Sequence, residues 1–145
     1  MLIFIIPIYN ESENIPILLS KIKKLMEDKS FRYKIIAVND GSTDNSLYII
    51  QEQSKHIPIK ICNHTANWGP GKAFLTGFTA ALEIANDDDV IVTLESDNTS
   101  DLTILPEMIS KLNNGNDVVL ASCYASGGKV LNTIFYRRFI SWSAN

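Results

Sequence analysis

The chain has only two cysteines, two histidines and no excess of positive charge, and each shortage closes off a class of function. Cys62 and Cys123 stand far apart, with neither CxxC spacing nor paired histidines beside them, so no disulfide framework or structural zinc site is indicated. Both are expected to be buried thiols in a reducing compartment. A net charge of −3 and a pI near 5.3 argue against a nucleic-acid binder, which carries a basic face. No stretch approaches the roughly 20 apolar residues that a membrane-spanning helix requires. The apolar opening "MLIFIIPIYN" lacks a charged leading region and a small-residue cleavage site, so it reads as a strand and not a signal peptide. Internal repeats and low-complexity linkers are missing too. Neither common nucleotide fingerprint is present. The first strand runs into Pro-Ile-Tyr-Asn instead of GxGxxG, and "GPGKA" has neither the spacing nor the hydroxyl of a P-loop. Any bound phosphates must be neutralised another way, and a divalent cation held by carboxylates is the obvious substitute.

What is present is an alternation of strands and helices in a 145-residue chain with 46% hydrophobic content, enough for one buried core. Residues 2–6, 33–38, 57–61, 90–94 and 117–122 read as five strands, the first ended by Pro7. Helices are expected from Ile15 to Met26, capped by Ser12 or Asn14, and from Asp44 to about Ser54. Others follow over 70–85, with Phe74, Leu75, Phe78, Ala81 and Leu82 as the apolar face, over 104–112 with Gly115 closing it, and from Leu131 onward. This order implies right-handed crossovers, a mostly parallel sheet and helices on both faces. Ligands of such sheets bind beyond the carboxyl ends of the strands. Here those ends read "PIYNESE", "NDGSTD", "NHTANWGPGK", "ESDNTSD" and "SCYASGGK". The fourth holds Glu95, Asp97 and Asp101 within seven residues, a pattern that suits either a metal site or a turn with a helix cap.

Taken together, the strand ends resemble those of the family 2 glycosyltransferases. "IPIYNESENI" is similar to the family's Pro-x-Tyr-Asn-Glu opening, "AVNDGSTDNS" to its Asp-Gly-Ser-x-Asp turn and "NWGPGKAFLTGF" to its Asn-x-Gly-x-Gly-x-Ala stretch. "VTLESDNTSDL" sits where the Asp-x-Asp metal motif belongs. Among subgroups the chain is most similar to the polyprenyl-phosphate sugar synthases of the dolichyl-phosphate mannose type. The resemblance implies an α/β fold of three layers, the Rossmann-like GT-A fold. It implies a C-terminally truncated chain, because relatives continue past the helix in which this one stops. Residues 1–122 would be the nucleotide-sugar-binding core, and 123–145 the start of an acceptor and membrane-interface segment in the same domain. Two positions depart from the pattern: Glu95 replaces the first aspartate of the metal motif, and Cys123 replaces a phosphate-binding arginine.

The resemblance implies Mg2+ or Mn2+ as cofactor, with Asp97 and Glu95 as ligands, stabilising the charge that builds on a departing diphosphate. Asp97 could instead be a solvated turn residue. Pro7, Tyr9, Glu11 and Ser96 would line the nucleotide site, and Asp40, in a turn that Gly41 permits, would accept a hydrogen bond from a base ring N–H. The competing readings are a buried tyrosine at position 9 and an Asx-turn carboxylate at position 40. Lys72, near a helix N-terminus, is either a phosphate contact or a surface lysine. Asp44 and Asp101 read as helix caps, His56 and His64 as isolated, and Trp68 and Trp142 as packing residues. Charge selects the acceptor. Residues 1–117 hold all 16 acidic side chains and ten of the 13 basic ones, whereas the rest carries only Lys129, Arg137 and Arg138. A phosphate acceptor needs cations and no general base, so Arg137 and Arg138 are assigned to it and counted with Asp97 and Glu95 as catalytic. The expected reaction is metal-dependent inverting transfer from a GDP- or UDP-linked sugar to a polyprenyl phosphate. Its place would be the cytoplasmic membrane face, reached by the apolar, arginine-bearing segment "VLNTIFYRRFISW", which reads equally as an ordinary amphipathic helix packing on the sheet. The alternatives are transfer to a sugar hydroxyl and a nucleotide-sugar-binding module without turnover.

Overall fold

A computed structural model describes residues 1–123 and 125 of the chain. Four parallel strands form its sheet: β1 (Leu2–Ile8), β2 (Tyr33–Asp40), β3 (Ile59–His64) and β4 (Val90–Thr93), in the order β3-β2-β1-β4. Helices α1 (Asn14–Lys29), α2 (Ser46–Gln53) and α3 (Pro70–Leu82) connect them. Residues up to Thr103 make one compact unit. From Ile104 onward a second unit begins, and its described helix is α4 (Leu105–Asn113), followed by Gly115 in the left-handed region as a helix-ending glycine.

The centre of the sheet is apolar on both faces because helices cover both. Ile3 and Ile5 of β1 and Ile36 and Val38 of β2 face α3. Their alternate neighbours, Ile6, Ile8, Ile35 and Ala37, meet Ile15, Leu18 and Leu19 of α1 and Ile50 of α2. The helical spacing of Ile15, Leu18, Leu19, Ile22 and Met26 puts all five inside, each stabilising the fold by roughly 2 kcal/mol.

Several boundaries differ from the sequence expectation for physical reasons. Pro7 does not end β1. Leu2 donates its N–H to Arg32, so even-numbered residues of β1 bond toward β2, while Ile5 faces β4 and accepts the Leu94 N–H. The missing donor of Pro7 therefore points past the end of β4, where no ladder bond is lost. Pro58 keeps Ile57 out of β3, which instead continues to His64 opposite Asp40. Helix α1 starts at an N-cap Glu13 without a side-chain cap, and neither Ser12 nor Asn14 supplies one. On α3 the buried face is Ala73, Gly77, Ala80 and Ala81, while the bulky Leu75, Phe78 and Leu82 are exposed. A Cβ on Gly77 would stand 2.3 Å from Ile5, so small residues are what let this helix lie on the sheet.

The expected fifth strand is not formed. Residues 117–121 belong to no strand among the described residues, and Val118 and Leu120 are 73% and 84% exposed. A run of β-favouring residues becomes a strand only where another backbone supplies its hydrogen bonds. Cys123 is accordingly exposed and Cys62 only partly buried, so the expectation of two buried thiols fails. Lys129, Arg137, Arg138, Trp142 and the last expected helix lie outside the described residues. No helix among the described residues is long and apolar enough to cross a membrane.

Candidate functional site

The loop after β1 is held by the loop after β2. Asn10 N–H donates to Ser42 Oγ, Glu11 N–H to Ser46 Oγ and Ser12 N–H to Asp44 Oδ2, while Thr43 N–H donates to Asn10 Oδ1. The short polar side chains of "NDGSTDNS" are thus receptors for the backbone of "YNES". Asp44 also accepts the Ser46 N–H in an Asx-type turn, but the N-cap of α2 is Asn45, without a side-chain cap, so the expected capping by Asp44 is not found. Burial would raise its pKa, but the hydrogen bonds from Ser46 and Ser12 outweigh that and lower it from 3.8 to about 2.

Asp40, 3% exposed at the tip of β2, is the most constrained carboxylate. Its Oδ1 accepts the Nδ1–H of His64 at 2.6 Å and the Trp68 N–H at 3.0 Å, and its Oδ2 accepts the Gly69 N–H at 2.8 Å. Burial pushes its pKa up, yet these donors prevail and hold it below the ordinary value, so the carboxylate is ionised at neutral pH. Gly41 makes the contact possible. At φ +68° it takes a conformation that side chains resist, and a Cβ there would lie 2.2 Å from the Ala66 carbonyl carbon, displacing the loop that delivers those two amides.

His64 is far from isolated. It lies opposite Asp40 in the β2–β3 ladder, is buried, and meets the Thr76 hydroxyl of α3 through Nε2 at 2.9 Å. Trp68 is not a core residue; it is half exposed, with its ring tilted over His64 at a centroid distance of 4.4 Å. The sequence signal for His64 was the period-two pattern of β3, which places it on the same face as Cys62 once the strand is carried past residue 61.

After β4 the chain is open. Ser96 is buried, while Glu95 and Asp97 beside it are exposed. Asp97 Oδ1 accepts the N–H and hydroxyl of Thr99, and Asn98 sits at φ 61° with its amide on the Asn14 carbonyl. Asp97 Oδ2 and both oxygens of Glu95 have no hydrogen-bond partner among the described residues. Asp101 accepts from Thr103 just before the short 3-10 turn Leu102–Ile104, the expected capping role. Among the described residues no group of three carboxylate, imidazole or thiol side chains is gathered as a ready metal cage.

These strand ends enclose a cavity of about 300 Å³, walled by Pro7, Tyr9, Glu11, Asp40, Glu95, Ser96 and Asp97 among others. Tyr9 is 44% exposed, which discards the reading of it as a buried core tyrosine. Asn67, Pro70 and Phe74 close the side formed by α3. Of the expected nucleotide-site residues within the described part, only Lys72 is outside the wall, exposed in the first turn of α3.

The profile of Glycosyl transferase family 2 matches residues 3–144. The chain is 36% identical over 140 residues to a dolichol-phosphate mannosyltransferase of Pyrococcus furiosus, covering 97% of this chain and 38% of that protein. It is 33% identical over 119 residues to the undecaprenyl-phosphate 4-deoxy-4-formamido-L-arabinose transferase of Proteus mirabilis, covering 79% and 34%. Residues 1–349 of S. aureus TarS in complex with UDP share the fold, with a TM-score of 0.59 at 21% identity, covering 85% of this chain and 39% of that one. The chain thus spans between a third and two fifths of the length of these proteins. A parallel α/β/α fold of GT-A type, the four strand-end motifs and a family match over nearly every residue lead to one conclusion: the chain belongs to glycosyl transferase family 2.

Proposed function

We propose that the chain is the nucleotide-sugar-binding part of a metal-dependent, inverting glycosyltransferase that moves a sugar from a nucleoside diphosphate to a polyprenyl phosphate. The observation that carries this reading is the single cavity joining Asp40 and Tyr9 to Glu95 and Asp97. Its two ends suit the two ends of a sugar nucleotide. Asp40 has four lone-pair directions, of which the protein fills three, and the fourth is available to a base N–H. Tyr9 offers a flat, half-exposed ring beside it.

At the other end, Glu95 and Asp97 fit a hard cation. Mg2+ characteristically takes one or two carboxylates, completing its shell with substrate phosphates and water, so a third protein ligand is not required. When bound, the cation would act as a Lewis acid toward the diphosphate leaving group. Asp97 is suited to hold it because Thr99 fixes one of its oxygens and leaves the other open. The acceptor phosphate is already an anion. One of its oxygens attacks the anomeric carbon as the bond to the diphosphate breaks, inverting that centre without a protein base. Lys129, Arg137 and Arg138 are the cations assigned to this acceptor. The two relatives named for polyprenyl-phosphate chemistry support that choice, as does the scarcity of acidic residues beyond Asp117. Such an acceptor places the work at the cytoplasmic membrane face.

Labelled sugar nucleotides incubated with the protein and Mn2+, with and without polyprenyl phosphate, test the reading. Lipid-soluble label is expected only with the phosphate lipid. Label passing instead to a saccharide hydroxyl would move the protein to a different acceptor class, and nucleotide binding without transfer would make it a binding module. Arg137→Ala combined with Arg138→Ala is expected to weaken use of the lipid phosphate more than donor binding, and equal losses in both would count against the assignment.

A further inference from the structure

We propose that His64 is a positioning residue for nucleobase discrimination, held by Thr76 and pinning the Asp40 carboxylate so that one lone pair alone is offered to the ligand. The inference rests on the proposed nucleotide-binding role of the cavity. His64 lies deep in the fold behind Asp40 and is not part of the cavity wall, so it acts through its neighbour.

The geometry determines the direction of the chain of bonds. An ionised carboxylate only accepts, so the 2.6 Å contact requires the proton on His64 Nδ1. Nε2 then meets the Thr76 hydroxyl at 2.9 Å, a group that can donate or accept and so satisfies the ring in either protonation state. Thr76 is on α3, and the loop leading into that helix delivers the Trp68 and Gly69 amides to the same carboxylate. Asp40 is therefore clamped from the strand side by His64 and from the helix side by two amides. A carboxylate held this way cannot turn to suit a different hydrogen-bond pattern.

Selectivity follows from the bases themselves. Uracil at N3 and guanine at N1 carry a ring N–H that the remaining lone pair can accept. Cytosine at N3 and adenine at N1 present a lone pair instead, which a fixed carboxylate repels and leaves unpaired. If Asp40 were free to rotate, it could reach the neighbouring amino groups of cytosine or adenine and the penalty would shrink. On this reading His64 governs the ratio of affinities, not the grip on the diphosphate.

Calorimetric titrations of the full chain with UDP, CDP, GDP and ADP in Mn2+ test this, with inorganic pyrophosphate and Mn2+ as a probe of the other end. The wild type is expected to prefer the ring N–H member of the UDP/CDP or GDP/ADP pair. His64→Phe keeps a ring of similar size but no donor, and should cut that preference at least tenfold while leaving pyrophosphate affinity within twofold. His64→Asn, which restores an N–H donor at the Nδ1 position, should recover most of it. Thr76→Val removes only the outer anchor and should lower the preference about threefold; it decides the matter should His64→Phe not fold. A preference unchanged in Thr76→Val and in the folded His64 variants overturns the positioning role and leaves the function standing. A wild type that binds none of the four nucleotides overturns the function itself and this inference with it.

Discussion

At the end of β2 the Asp40 carboxylate is 3% exposed and accepts three hydrogen bonds from the protein, whereas after β4 the carboxylates of Glu95 and Asp97 are exposed and three of their four oxygens have no partner among the described residues. Both ends belong to one cavity and both are acidic, yet one is closed by hydrogen bonds of the protein and the other is left open to solvent. The difference teaches where order has been placed. Under the proposed function, a base would be recognised by a fixed hydrogen-bond pattern, which an acceptor clamped in advance would suit. A diphosphate would likewise bring charge to be neutralised and later released, and partners that are solvated in the free chain would suit its arrival with a cation.

Asp97→Asn strikes the open end and should have the largest effect. Metal-dependent nucleotide affinity is expected to fall by more than about 100-fold, beyond the roughly 10–100-fold lost when only a supporting partner of a ligand is removed. The melting temperature without ligand should stay the same, since no buried contact is touched. Unchanged affinity by calorimetry would remove Asp97 from the site.

Gly41→Ala attacks the closed end through the fold. The added methyl overlaps the Ala66 carbonyl carbon, and φ +68° is strained for alanine, so denaturant unfolding should show a loss of about 3 kcal/mol. Stability here should fall together with base affinity, in contrast to Asp97→Asn. A fully stable Gly41→Ala protein would mean that the loop carrying Trp68 and Gly69 is not seated against Gly41.

Asp44 sharpens the comparison through pH. Its pKa is lowered on folding, so its contribution to stability is complete above 3.8 and is lost as pH falls toward about 2. Asp44→Asn should flatten that acid limb in a pH series of denaturant melts. Near neutral pH it should cost about 0.5–1 kcal/mol, a small figure for the Ser12 and Ser46 hydrogen bonds it weakens, because the carboxylate is exposed and screened. A steep acid limb retained in the variant would assign it to the other carboxylates whose pKa folding lowers, Asp40, Asp89 and Asp101. Lys72→Ala completes the series with a less than threefold change in diphosphate affinity, since Lys72 is not in the cavity wall.

Much of this was legible in the residues. The alternation of apolar runs with helical spacing gave the parallel order, and the polar strand ends located the cavity, because both depend on local pattern. Less legible were features decided by partners distant in sequence. Residues 117–121 have strand composition but form no strand among the described residues, and α3 buries alanine and glycine where the larger Leu75 and Phe78 have the spacing of a core face. His64 looks isolated in the sequence because its significance depends on register: only with β3 ending at residue 64 does it fall opposite Asp40. Glu95 and Asp97 are visible as carboxylates, but that Glu95 has no hydrogen-bond partner among the described residues while Asp97 is half engaged by Thr99 is a fact of the turn.

Anomalous scattering from crystals grown with a nucleoside diphosphate and Mn2+ tests the division of labour between the two ends directly. Manganese density in contact with Asp97 and the diphosphate, with the base edge against Asp40, is the expected result. A nucleotide bound elsewhere, or seated in the cavity with its phosphates turned away from Glu95 and Asp97, would contradict it.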